Sequence, residues 1–154
     1  MSDEAQIEIR TATSHDAQSI RELVRSAYAG WVPLIGREPL PMQADYEHAV
    51  REHRFDIITI EGEMAALIET VLRPDHLWIE NLAVRPERQR QGLGRRLLAH
   101  AERHAVEQGC VEARLQTNAA FAANVTLYTR LGYDIYKEEP FRGGVTVYMK
   151  KTLA

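Results

Sequence analysis

Five arginines, at 85, 88, 90, 95 and 96, and two glycines, Gly92 and Gly94, fall within residues 85–96. Glycine lets a backbone approach a ligand closely and adopt positive φ. Arginine adds charge-assisted hydrogen bonds. A helix starting at these glycines would present unpaired N–H groups and the positive end of its dipole. That combination suits a pyrophosphate; the same residues also read as a tight turn with solvated arginines. Two better-known phosphate loops do not fit. A Walker A loop needs Lys-Ser/Thr after its last glycine, and Arg95-Arg96 follows Gly94. A Rossmann fingerprint needs glycine at 97, where Leu97 stands, and the preceding strands read as an antiparallel meander.

The elements that must position this loop follow from periodicity. Ile7–Ala12 alternates apolar and polar residues, as a strand does, and residues 15–29 carry apolar residues at helical spacing. Gly30, Pro33, Gly36, Pro39 and Pro41 predict a loop over 30–42 whose apolar residues pack over something. A short helix is expected at 44–52. Residues 55–60 and 64–72 form a hairpin about Gly62, and residues 77–84 add a third strand. Helix 92–108, strand 111–117, helix 120–131 and a closing pair, 133–137 with 145–151, complete the chain. Strands run together before they alternate with helices, so the class is α+β, of the three-layer α/β type. The expected sheet is mixed, mostly antiparallel and about seven-stranded, with four helices, in one domain over residues 1–154.

Composition narrows the function. The 154 residues are 45% hydrophobic and 27% charged, the balance of a soluble globular protein. Five arginines against Glu87 make the 85–96 window +4 and leave −7 for the rest of a chain whose formal charge is −3. This excludes a large nucleic-acid surface. The single cysteine, Cys110, excludes an intramolecular disulfide and a Cys-based zinc site. His100 and His104 are four apart but lack the glutamate of a zincin motif, so no metal is expected. The polar start and the absence of an apolar run near the ~20 residues of a membrane span predict a cytoplasmic protein without membrane association.

Gln89-Arg90-Gln91-Gly92-Leu93-Gly94 resembles the Q/R-x-x-G-x-G/A signature of the GNAT superfamily of acyl-CoA-dependent N-acyltransferases. Asn124, Tyr128, Gly132 and Tyr133, spaced N-x-x-x-Y-x-x-x-G-Y, resemble a second family segment that places an Asn and a Tyr on one helix ahead of G-[FY]. The order of elements is similar to the family's over nearly the whole chain. The resemblance implies acetyl transfer from acetyl-CoA to a primary amine by direct attack in a ternary complex. It assigns the pyrophosphate to the backbone from Gln89 through Leu93 to Arg95. It also implies that the preceding strand, Leu82-Ala83-Val84, splays from its neighbour and pairs with the pantetheine arm through Leu82 and Val84. Arg88, Arg90 and Arg95 are candidates for phosphate contacts.

Asn124 and Tyr128 lie four apart on one helical face. By resemblance Asn124 holds the pantetheine arm and Tyr128 protonates the leaving thiolate; an ordinary half-buried aromatic is the other reading of Tyr128. Glu80 is the first candidate for the base that removes the amine proton, on the same face as Leu82 and Val84 by the strand's period of two. A cross-strand ion pair would explain it equally. Some relatives carry a glutamate one strand later, where Gln116 stands here and cannot act as a base. The Leu82 N–H is a candidate oxyanion donor.

Tyr28, Trp31, Met42, Tyr46 and Phe141 are expected to wall the acceptor site, although the same aromatics could simply pack the loop onto the sheet. The long Pro-rich loop favours a small-molecule amine over a protein N-terminal or lysine amine, and an acidic remainder suits a cationic one. A non-catalytic acyl-CoA sensor is a further reading, against which Tyr128 and Asn124 both argue. Many relatives are dimers, so a homodimer is also expected.

Overall fold

Two inner strands are buried along nearly their whole length, on both faces, so each face of the sheet packs against a helical layer. The computed structural model describes residues 7–153. Its strands are β1 Ile7–Thr11, β2 Arg54–Ile60, β3 Glu63–Leu72, β4 His76–Val84, β5 Glu112–Asn118, β6 Asp134–Phe141 and β7 Gly144–Thr152. They form one sheet in the order β1-β2-β3-β4-β5-β7-β6. Only β4 and β5 are parallel among the neighbouring pairs.

The helices are α1 Ala17–Tyr28, α2 Val32–Ile35, α3 Tyr46–Glu52, α4 Leu93–Glu107 and α5 Ala122–Arg130. Four correspond to the expected helices. The fifth, α2, is one turn and replaces part of the expected 30–42 loop, with further tight turns at Ala29–Trp31 and Leu40–Gln43. Pro33 and Pro41 sit at the starts of short turns, where the missing N–H costs nothing. β6 runs to Phe141, beyond the expected 137, because the Arg142-Gly143 turn has positive φ at both residues and closes a tight hairpin.

Ile20, Leu23 and Val24 of α1 and Tyr46 of α3 pack with Phe55, Ile57 and Leu67 on one face. Leu97, Leu98, Ala101 and Ala105 of α4, with Tyr128 of α5, pack with Ile58, Ile68, Leu77, Leu115 and Met149 on the other. Burying each such aliphatic side chain contributes about 1.5–3 kcal/mol. Among the described residues no helix is long and apolar enough to cross a membrane.

Two irregularities of β4 position the site. Its pairing with β5 covers only His76–Ile79 against Glu112–Leu115. Beyond Ile79 the strands part, as the resemblance implied. The second is a bulge. Glu69 pairs with Asn81 and Thr70 with Ile79, which leaves Glu80 without an opposite residue on β3.

Candidate active site

The parting of β4 from β5 leaves backbone groups without a sheet partner. The carbonyls of Leu82 and Val84 turn away from β3: Tyr28 Oη donates to the first at 3.3 Å and Gln89 Nε2 to the second at 3.3 Å. Ala83 faces differently. It lies opposite Leu67 on β3, and its side chain is buried in the α1/α3 layer. Leu82 and Val84, which the resemblance assigns to the pantetheine arm, thus carry carbonyls that turn from β3 toward side chains.

β4 leads through Arg85 into the glycine loop. Arg90 has φ +65° and Gly92 φ +80°. Left-handed residues of this kind form backbone nests that suit anions. Gly92 caps α4 with no side-chain hydrogen bond, and the first intrahelical bond of the new turn runs from the Arg96 N–H to the Gly92 carbonyl at 3.0 Å. The N–H groups of Leu93, Gly94 and Arg95 precede it and have no intrahelical acceptor. A Cβ on Gly94 would stand 3.6 Å from Leu82 Cδ2 and 3.9 Å from Val84 Cγ2. The missing side chain thus keeps open the space between the helix start and β4.

A cleft of about 540 Å³ follows this surface, bounded by Arg88–Arg90, Gly92–Arg95, Leu82–Val84, Asn124, Tyr128 and Arg130. Gln91 is exposed and outside this lining, whereas Arg130 is a lining cation that sequence reasoning missed. Unpaired helix N–H groups, a basic rim and an exposed strand edge fit a nucleotide carrying a pyrophosphate and an amide-rich arm.

A smaller cavity of about 130 Å³ lies across β4, under residues 35–41. Glu80, Gln116, Asn118, Phe121 and Phe141 are among its walls. The two spaces share Tyr28, Leu82, Asn124 and Tyr128. These four residues mark the place where a molecule in one would meet a molecule in the other.

The two phenols at that junction differ in what holds their protons. Burial pushes both above the ordinary tyrosine range, so both are protonated at neutral pH. Tyr28 Oη shares its one proton between Asn81 Oδ1 at 2.8 Å and, more weakly, the Leu82 carbonyl at 3.3 Å, so that proton is committed. Tyr128 is 7% exposed, its ring stands edge-on to Tyr133 at 5.9 Å, and burial alone accounts for its shift. Its hydroxyl has no hydrogen-bond partner among the described residues and is the free donor of the pair.

Other expected residues lie elsewhere. Met42 and Tyr46 do not line the acceptor cavity; they are 6% and 3% exposed and fill the core behind the loop. Tyr46 Oη donates to the Pro41 carbonyl at 2.6 Å, so the residue anchors the loop from beneath. Trp31 lines the larger cleft, its ring tilted by 38° against that of Phe121 at 4.1 Å. Phe141 lines the acceptor cavity as expected.

Glu80 also lines it, but not by the expected alternation. Ile79 and Leu82, three apart, pack toward the same cluster because the bulge breaks the period at Glu80. Its exposed carboxylate accepts from Trp78 Nε1 at 3.1 Å, and no ion pair holds it among the described residues. The cavity wall that sequence reasoning missed is Ile35, Arg37 and Pro39–Pro41. Loop residues have no periodicity to reveal which side they face.

The model of the acetyltransferase (GNAT) family matches residues 17–133. In sequence the chain is 39% identical over 77 residues to the ribosomal protein bS18-alanine N-acetyltransferase of Escherichia coli (strain K12), covering 50% of this chain and 52% of that protein. The match thus spans about half the length of that relative. In structure it resembles the PaiA N-acetyltransferase of Thermoplasma acidophilum in complex with coenzyme A, with TM-score 0.83, 18% identity and coverage of 96% and 99% of the two chains. It also resembles the ribosomal-protein-S18-alanine N-acetyltransferase of Escherichia coli, with TM-score 0.80, 23% identity and coverage of 97% and 95%. At these identities the structural likeness is one of fold.

Proposed function

The chain belongs to the acetyltransferase (GNAT) family, and from that premise we propose that it transfers an acetyl group from acetyl-CoA to the primary amine of a small molecule. The observation that carries this reading is the meeting of two clefts at Tyr28, Leu82, Asn124 and Tyr128. Acetyl-CoA supplies the activated acyl group. The N–H groups of Leu93, Gly94 and Arg95 hold its pyrophosphate, and Leu82, Val84 and Asn124 hold its arm. The Leu82 N–H accommodates negative charge on the reacting carbonyl oxygen. Tyr128 Oη gives its proton to the departing sulfur.

The attacking amine must be neutral. Glu80 is the lining carboxylate that can take its proton, directly or through water. Replacing Glu80 with Gln slows turnover chiefly at low pH, where substrate amine is most protonated. A pH profile of kcat/KM superimposable on the parent's would remove Glu80 from this role.

A small acceptor is favoured by the size of the cavity and by the 35–41 segment that covers it. The sequence match to a ribosomal protein N-acetyltransferase favours a second reading, a protein N-terminal amine. A screen of small amines and peptides for acetyl-CoA-dependent thiol release separates the two. Release with small amines supports the first, and release with peptides alone selects the second. A non-catalytic acyl-CoA sensor would release no thiol with any amine. One domain, a cytoplasmic setting and a homodimer belong to the same reading; limited proteolysis, cell fractionation and sedimentation velocity test them.

A further inference from the structure

The walls of the acceptor cavity include one cation and one carboxylate, Arg37 and Glu80, on opposite elements: the covering loop and β4. Arg37 Nε is buried and has no hydrogen-bond partner among the described residues. The remaining contact of its guanidinium within the loop is a long one, from Nη1 to the Glu38 carbonyl at 3.4 Å. The neighbouring Glu38 carboxylate is engaged with Arg25 at 3.0 Å. Among the described residues no carboxylate forms an ion pair with Arg37. The guanidinium stands 5.6 Å over the Phe141 ring, which also lines the cavity. Arg142 lies by the same ring, at 5.1 Å.

An unpaired arginine donor held over an aromatic wall is costly to bury and well placed to receive a planar anion. The chain is acidic outside the 85–96 window, but this cavity is not.

We propose that the acceptor is a small amine that also carries a carboxylate, bound by Arg37, while its amine lies toward Glu80 and Tyr128. This rests on the reading of the protein as a small-amine acetyltransferase and narrows its substrate to amino-acid-like molecules. A carboxylate offers two in-plane oxygens to the guanidinium fork. The pairing of Arg37 with Glu80 matches the two ends of a zwitterion, and a polyamine would place a second cation against Arg37.

The test uses matched pairs of amino acids and their carboxamides, with thiol release measured for the parent enzyme and for Arg37→Gln and Arg37→Lys. In the parent, kcat/KM for each preferred carboxylate exceeds that of its carboxamide by roughly 10- to 100-fold, the range for hydrogen bonds to a charged group. In Arg37→Gln the ratio collapses to about one. In Arg37→Lys, which keeps the charge but loses the fork, it falls between. Equal rates for carboxylates and carboxamides in the parent, or a ratio unmoved by Arg37→Gln, overturns the carboxylate assignment and leaves the acetyltransferase reading intact. No release from any member of any pair, with release from other amines such as polyamines or peptides, overturns the carboxylate assignment alone; no release from any amine overturns both.

Discussion

Tyr128→Phe lowers kcat by about 10²-fold, within the range for loss of a general acid, and leaves acetyl-CoA affinity by calorimetry at the parent's value. The Tyr128 hydroxyl sits at the junction of the two clefts with no hydrogen-bond partner among the described residues, so its removal leaves no buried group there unpaired. The ring keeps its edge-on contact with Tyr133, and the variant keeps its melting temperature. The pH behaviour follows from the direction of the shift. Burial raises the phenol above its ordinary range, so Tyr128 remains a proton donor throughout neutral and mildly alkaline solution. The loss in the Phe variant is therefore nearly constant from pH 6 to pH 9, roughly the range in which an unperturbed tyrosine also stays protonated. Turnover near the parent's across that range would take Tyr128 out of the reaction.

Gly92→Val weakens acetyl-CoA binding by roughly 10- to 100-fold, the cost of one or two charge-assisted hydrogen bonds. Gly92 caps α4 with φ +80°, where a β-branched residue is strained. Relief of that strain rotates the N–H groups that follow. Gly62 provides the control: it has φ +84° in the β2–β3 turn, and a Cβ there meets nothing within 4 Å. Gly62→Val carries comparable backbone strain, so it lowers the melting temperature similarly while acetyl-CoA affinity stays at the parent's value. Gly94→Val is the second probe. Its branched carbons enter the space between the helix start and Leu82 and Val84. Unchanged affinity in both Gly92→Val and Gly94→Val would refute the loop as the pyrophosphate site.

Much of this architecture was legible in the sequence because regular elements advertise their faces. The strand period placed Leu82 and Val84 together, and the helical period placed Asn124 with Tyr128. The glycine loop was legible because its residue types are unusual together. Legibility failed where the backbone departs from regularity. The bulge at Glu80 breaks the alternation that a run of strand residues leads one to expect, and nothing in residues 77–84 signals it. Tyr46 and Met42 resemble recognition residues by type and position. They are nevertheless turned inward, because a short helix must bury an apolar face and the Tyr46 hydroxyl finds the Pro41 carbonyl. Arg37 carried no signal, since an Arg-Glu pair in a polar turn reads as two solvated charges. Only the fold shows that Glu38 turns to Arg25 and Arg37 faces the cavity.

In the proposed reaction both substrates are bound at once and meet at Tyr128. Cys110, the chain's one thiol, is buried in the core and outside both clefts, so it offers no covalent relay. Initial velocities measured with acetyl-CoA and an amine from the screen varied together distinguish this reaction from a covalent relay. Intersecting double-reciprocal lines are predicted, as for direct attack within a ternary complex. Parallel lines, the signature of an acetylated enzyme that forms before the amine binds, would contradict it.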